Sequence, residues 1–366
     1  MAITLAWHLT YPAFAQGPLA PTAAPGPMMK TLQQVEPRIP ISALPAAITT
    51  SGSYYVTTNL TGVAGSTNGI TILANHVTLD LSGFTLLGVA GSGSGITVPN
   101  SVENLAIRNG VLDSWGSDGV NAANAYNSLF ERLRISNSGE TGFATGNNCV
   151  VLNCTAWGND TSENEPNYGI SVGYNCTVIG CSASENDDFG IGVGNNCTVK
   201  DCTASGNGLN GIDVGNNCTV IGCTASANSG GAGEGIDVGN NCTVIGCTAS
   251  GNDNFGIDVG NNCTVKDCTA SGNFRGIAVG NACLIAGNTC SGNGSFGIEI
   301  IGVQNRVDGN MVGNNNTVGI YPESLNVTNS ITRNSAAGFG YGNYAGNNDY
   351  APTGSVSTAT NPWTNF

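Results

Sequence analysis

Apolar and polar positions along this chain follow a short, repeated rule. A Gly-apolar-x-apolar unit begins at Gly69, Gly95, Gly119, Gly142, Gly169, Gly190, Gly211, Gly235, Gly256, Gly276, Gly297, Gly319 and Gly338, at a mean spacing of about 22 residues. Residues 190–207 read GIGVGNNCTVKDCTASGN and residues 256–273 read GIDVGNNCTVKDCTASGN. Within a unit, Ile212 and Val214 alternate with Asp213, which predicts a short strand with one apolar face. Cys218-Thr219-Val220-Ile221 alternates again, and Cys223-Thr224-Ala225-Ser226 follows after one intervening residue. That residue is Asn153, Gly180, Asp201, Gly222, Gly246 or Asp267 in successive units. These residue types tolerate a left-handed backbone, so the position reads as a corner.

Three short strands and three corners in about 22 residues make one coil of a parallel β-helix. Leucine-rich repeats need a Leu ladder that is absent, and the Thr, Val, Gly and Asn content excludes helical repeats. Longer units carry their extra residues, Asp160 to Asn167 and Ser229 to Glu234, just before the Gly-Ile strand. Insertions at one corner leave the stack intact and project loops on one side. The expected fold is therefore all-β: a single-stranded right-handed parallel β-helix (β-solenoid) of about 13 coils with terminal caps.

The pattern resembles the right-handed parallel β-helix repeat proteins of the pectate-lyase-like superfamily, a group that includes carbohydrate-binding and sugar-hydrolase β-helices. The resemblance covers about residues 62–342 and implies the fold and a glycan partner, while one fold hosts many activities. The superfamily's polyuronide lyases use Ca2+ and a basic residue. The lyase motifs are not matched residue by residue. Its polygalacturonase-like hydrolases resemble one another in Asn-Thr-Asp, Asp-Asp and Gly-His-Gly motifs, against which this chain offers no coil His beyond His76 and an Asp187-Asp188 pair expected in a loop.

The flanks read differently. Residues 1–15 end in Ala13-Phe14-Ala15 after a short apolar stretch, as a signal peptide does, but without a basic n-region. Residues 16–29 read as a flexible leader, 30–61 as an N-terminal cap, 62–342 as the β-helix and 343–366 as a C-terminal cap segment. The protein is expected to be secreted, or at the cell surface or in the periplasm. No apolar run of 18 residues is present, so no transmembrane segment is expected.

Composition narrows the function classes. Charged residues make up 9% of the 366, and 10 basic against 24 acidic residues give a net charge of −14. A phosphate-backbone partner held by Lys and Arg, and hence nucleic acid, is excluded. Two His leave no material for a His-rich metal site. The 14 Cys fall mostly into two columns. One runs Cys149, Cys176, Cys197, Cys218, Cys242, Cys263 and Cys283; the other lies five residues on, from Cys154 to Cys268. Both share the inward parity of Val220 and Ala225 and read as stacked buried thiols, with inter-coil disulfides and a metal or Fe–S site as the alternatives. The second column continues as Asn288, Asn310 and Asn334, an expected amide ladder. Asn196, Asn217, Asn241 and Asn262 are expected to do similar work at the turn.

Candidate chemistry lies on the outward face. The middle residue of Gly-Ile-x-Val reads Ser171, Gly192, Asp213, Asp237, Asp258, Ala278 and Glu299 along the stack. Carboxylates about 5 Å apart repel by ~0.8 kcal/mol in water and ~3 kcal/mol at an effective dielectric of 20. A bound cation, a raised pKa or ordinary solvation relieves this. Asp213, Asp237 and Asp258 are thus a candidate Ca2+ site, and a solvated acidic edge is the competing reading. The residue before that Gly is Tyr168, Phe189, Phe255 or Phe296 in four coils, a set able to stack on sugar rings or over its own corner. By parity, no tight basic cluster faces the Asp row.

The leading expectation is an exported, non-catalytic β-helix presenting Asp213, Asp237, Asp258, Glu299 and these aromatics to polysaccharide or cell envelope. A carbohydrate-active lyase or hydrolase on an extracellular glycan is the first alternative, and a structural surface or filament subunit the second. No cofactor beyond Ca2+ is expected, and the oligomeric state is open.

Overall fold

The computed structural model describes residues 30, 35–159, 167–231, 233–323, 328–338 and 349–350. The expected signal peptide and leader lie outside these residues, as does most of the C-terminal cap segment. The chain divides into a unit of residues 1–38 and a unit of residues 39–366. In the first, Arg38 Nη2 pairs with Glu36 Oε2 at 2.7 Å.

The described residues of the second unit form a parallel β-helix. Each repeat supplies three strands, as in Ile212–Val214, Thr219–Ile221 and Thr224–Ser226. Strands of the first type stack in parallel into a 13-stranded sheet, while the other two types share a 26-stranded sheet that bends at the corner between them. Registers match letter for letter: Thr198, Thr219 and Thr243 align, as do Ala204, Ala225 and Ala249. Parallel pairing begins earlier than expected. Ile39–Ile41 pairs with Gly52–Val56, and Ala46–Ile48 with Ile70–Ile72, so stacked strands already occupy the segment read as a cap.

The corner residues take the left-handed conformation that their types suggested, with φ of 52° at Asn153, 52° at Asp201 and 62° at Gly222. Inside, Ile212, Val214, Val220 and Ala225 are fully or almost fully buried, and equivalent residues repeat through the stack. All 14 Cys are buried free thiols. Each stacked Cys is tied to its neighbours: the Cys218 N–H donates to Cys242 Sγ at 3.3 Å, and Cys218 Sγ donates to the Gly194 carbonyl at 3.3 Å.

Amide ladders appear in three places. The expected one runs through Asn288, Asn310 and Asn334, with Nδ2 of each of the first two donating to Oδ1 of the next at 2.9 and 2.8 Å. A longer buried ladder, not foreseen, runs through Asn159, Asn186, Asn207, Asn228, Asn252, Asn273, Asn293 and Asn315. It explains the Gly file. A Cβ on Gly190 would lie 2.7 Å from Asn207 Nδ2, so only Gly lets strand and ladder approach. At the surface turn the ladder uses Asn195, Asn216, Asn240, Asn261 and Asn281. The expected Asn196, Asn217, Asn241 and Asn262 instead take φ of 58–61°. Of two successive Asn, the second absorbs the strained conformation and the first makes the bonds.

Candidate functional site

The 13-stranded sheet sets the outward residues in register, in the order Ser171, Gly192, Asp213, Asp237, Asp258, Ala278, Glu299 and Tyr321. A second file beside it holds the residue preceding each Gly. Strand pairing aligns Tyr168 with Phe189 and Phe255 with Arg275. Backbone bonds from Gly190 to Asn210, Gly211 to Glu234 and Gly235 to Phe255 carry the file between them. It therefore reads Tyr168, Phe189, Asn210, Glu234, Phe255, Arg275 and Phe296.

Three carboxylates converge where the two files meet. Oxygens of Glu234, Asp237 and Asp258 all lie within 4.8 Å of one another. Asp213 continues the row and contributes repulsion to both Glu234 and Asp237. Neutral groups hold the cluster in shape. Asn210 Nδ2 donates to Asp237 Oδ2 at 3.3 Å, Asn210 Oδ1 accepts the Glu234 N–H at 3.0 Å, and Asn254 Nδ2 donates to Glu234 Oε1 at 3.4 Å.

These acids are half-buried, so the row is not a freely solvated edge. Burial, reinforced by the charges of Asp237, Asp258 and Asp213, pushes Glu234 up to about 8. Burial, with Asp213 and Asp258, pushes Asp237 up to about 7. Burial also raises Asp213 and Asp258, the latter partly restored by the Val259 amide and Arg275. Near neutral pH the cluster therefore holds a proton or calls for a cation.

Aromatic groups stand on either side. Tyr168 and Phe189 stack on each other across coils, with centroids 4.8 Å apart and planes at 20°. Phe296 stacks on Tyr321 at 4.2 Å and 8°. Between Phe255 and Phe296, the Arg275 guanidinium lies 5.0, 5.6 and 5.7 Å from the ring centres of Phe255, Phe274 and Phe296. Its Nη1 donates to Glu299 Oε2 at 2.9 Å, and its buried Nε has no partner.

Of the residues singled out from sequence, Asp213, Asp237 and Asp258 are contiguous, flanked by Tyr168 and Phe189 on one side and by Phe255 and Phe296 on the other. Glu299 stands apart, buried and paired to Arg275 beyond Ala278. Glu234, Asn210 and Arg275 were missed, although each occupies the position before Gly that the aromatics flagged. A single cation, Arg275 of the neighbouring file, acts on Asp258 at the end of the acidic row while pairing with Glu299.

A family model described as right-handed β-helix region matches residues 68–225, and one described as periplasmic copper-binding protein (NosD) matches residues 217–351. Among solved structures, the chain resembles the A-module of Azotobacter vinelandii mannuronan C-5 epimerase AlgE6 with a TM-score of 0.62 at 17% identity, covering 80% of this chain and 90% of that one. The AlgE4 A-module from the same organism gives 0.52 at 14% identity over 80% and 89%. The periplasmic alginate epimerase AlgG gives 0.51 at 13% over 81% and 76%. No curated protein matches by sequence. With its parallel stack, these matches make the chain a right-handed parallel β-helix.

Proposed function

We propose that this protein works outside the cytoplasm, where the outer face of the 13-stranded sheet holds a polysaccharide chain along coils 168–321. The observation that carries this reading is the convergence of Glu234, Asp237 and Asp258 between two aromatic groups on one face. Ring faces pack on sugar CH surfaces while carboxyl groups bond hydroxyls, the mixture that carbohydrate sites need. The likeness to alginate epimerases and the periplasmic description of one family model support both the ligand class and the compartment.

Ca2+ fits this centre. Oxygens within 4.8 Å of one another can share an ion that binds each at 2.3–2.6 Å. A cation would also relieve the repulsion that raises Glu234 and Asp237. The centre differs from the expected triad in taking Glu234 as a ligand, with Asp213 beside it. Copper, the metal in the family-model description, does not fit as well. Residues 217–351 contain no His, and their thiols are buried within the coils and bonded to backbone carbonyls.

A second reading is favoured by one observation. Glu234 and Asp237, adjacent carboxyls held near 8 and 7, are matched to proton transfer at neutral pH, as a carbohydrate-active enzyme requires. One experiment separates the two readings. Purified protein is titrated with neutral and uronate oligosaccharides, with and without Ca2+, while new reducing ends, unsaturated products and epimerised residues are followed. Saturable binding without turnover, lost in Glu234→Gln and Asp237→Asn, is the expected result. Turnover lost in the same variants selects the enzyme, and no binding by any oligosaccharide overturns both.

A further inference from the structure

A second site lies on the 26-stranded sheet, away from the acidic row. There an open cavity of about 320 Å³ is lined by Gly83, Asn109, Arg132, Arg134, Asn153 and Thr155, among others. Arg134 is aligned between Val111 and Thr155 of the adjacent coils. On a chain of net charge −14, three arginines, Arg108, Arg132 and Arg134, fall within 27 residues.

Their partners differ. Arg108 lies 3.4 Å from Asp80 and 4.0 Å from Glu131, and Arg132 donates to Glu131 at 2.9 Å. Asp113, the other nearby acid, already accepts from Ser136 and Asn137. Arg134 is exposed and, among the described residues, the one arginine whose side chain makes neither hydrogen bond nor ion pair. Three guanidinium groups stand near three carboxylates, Asp80, Glu131 and Asp113, so what sets Arg134 apart is its lack of a partner, not a local excess of charge.

Arg132 is also conformationally unusual. It has φ of 52° at the corner position that Asn109, Asn153, Gly180, Asp201 and Gly222 occupy in other coils. Asn and Gly take this conformation cheaply, and a long side chain does not. At Arg333, the same oddity places a guanidinium on Asp308. Arg132 likewise places its guanidinium on a carboxylate, that of Glu131, and lines the cavity beside the unpaired Arg134.

We propose that this cavity binds an oxyanionic group, a carboxylate, sulfate or phosphate carried by a glycan, with Arg134 and Arg132 as its charged donors. The guanidinium fork suits such groups, and the Asn153 amide and Thr155 hydroxyl can complete the donor set. This site is independent of the proposed glycan track, since it uses other strands and another sheet.

The test is calorimetric titration at low ionic strength with inorganic sulfate, inorganic phosphate, glucuronate and, as neutral control, glucose. Anions are expected to bind and glucose not, with binding weakened by added salt. Arg134→Gln should weaken anion binding by about tenfold. Arg132→Asn should weaken it while leaving the melting temperature unchanged or higher, because Asn is at ease in the corner. Lys200→Gln, on another part of the sheet, should have no effect. Preference for glucuronate assigns a sugar carboxylate, and preference for sulfate or phosphate assigns an ester group. Equal affinity in Arg134→Gln, equal binding of glucose, or no binding of any anion overturns the proposal.

Discussion

The ring of Tyr168 lies across Gly192 of the next coil, where a Cβ would collide with its Cε1 and Cδ1 atoms. That one missing side chain makes room for Tyr168, whose phenol is raised by burial and then by the charges of Asp213 and Asp188. The gap in the acidic row at Gly192 is therefore the seat of an aromatic ring. Gly192→Ala should displace the ring and disturb its stack with Phe189, costing about 1 kcal/mol of stability. In a Tyr168→Ala background the same change should cost almost nothing. A double-mutant cycle by urea unfolding measures the coupling, and a coupling of zero would contradict this packing.

Buried and surface Asn ladders should differ sharply in worth. Asn228 Oδ1 accepts from the Asn207 amide N–H at 3.2 Å and from Asn207 Nδ2 at 2.9 Å, and its own Nδ2 donates to Asn252 at 2.9 Å. All of these atoms are inside the coil, so Asn228→Ala leaves donors and an acceptor unpaired without water. The expected loss is about 3 kcal/mol or more. Asn240 makes a similar set of bonds at the half-exposed turn, accepting from Asn261 N and Nδ2 at 2.8 and 2.9 Å. Water can replace it there, so Asn240→Ala should cost about 1 kcal/mol or less. Comparable losses in urea melts would refute the distinction.

The coil was legible because its parts repeat in sequence: the Gly file, the left-handed corner and the alternation around Val220 recur with the period of the backbone. The buried Asn ladder repeats just as regularly, two residues past the Ala-Ser strand, and was legible in principle from Asn207, Asn228 and Asn252. What hid it was polarity, since an Asn beside a turn reads as solvated until a neighbour above is known to bond it. The site was only half legible. Asp213, Asp237 and Asp258 share a repeat position, but Glu234 ends an insertion and Arg275 replaces an aromatic, so neither is announced by repetition. Tyr168, Asn210 and Arg275 each interact with an acid of the row from the neighbouring file, and strand parity carries no information about such reach.

Buried thiols make a prediction about reactivity. Every Cys is inside the stack, and stacked thiols donate to carbonyls of the preceding coils, as Cys223 does to Val199 at 3.6 Å. A thiol-specific reagent should therefore label none of the 14 in the native protein and all of them in denaturant. Exposed disulfide partners would instead leave some sulfurs unlabelled after unfolding without reductant. Mass spectrometry of the labelled chain reads the count directly.

The acidic cluster should also set the pH dependence of stability. Glu234 rises from 4.5 unfolded to about 8 folded, and Asp237 from 3.8 to about 7, chiefly through burial. Between those limits the folded state holds more protons than the unfolded chain, so stability falls as pH rises from about 4.5 to about 8. Solvent at these half-exposed groups screens the effect, leaving about 1–2 kcal/mol for Glu234. Asp308 acts with the opposite sign. Arg333 and Arg306 hold it down to about 2, so its contribution is present above the usual carboxylate range and lost as pH falls toward 2. A maximum near pH 4–5 follows, with a descending limb toward neutrality. Glu234→Gln should flatten that limb, and Ca2+ should flatten it in the wild type by occupying the place of the proton. Urea melts from pH 4 to 9, with and without Ca2+, decide it. A limb unchanged by Glu234→Gln would mean that the three carboxylates do not share the burial and repulsion on which the site depends.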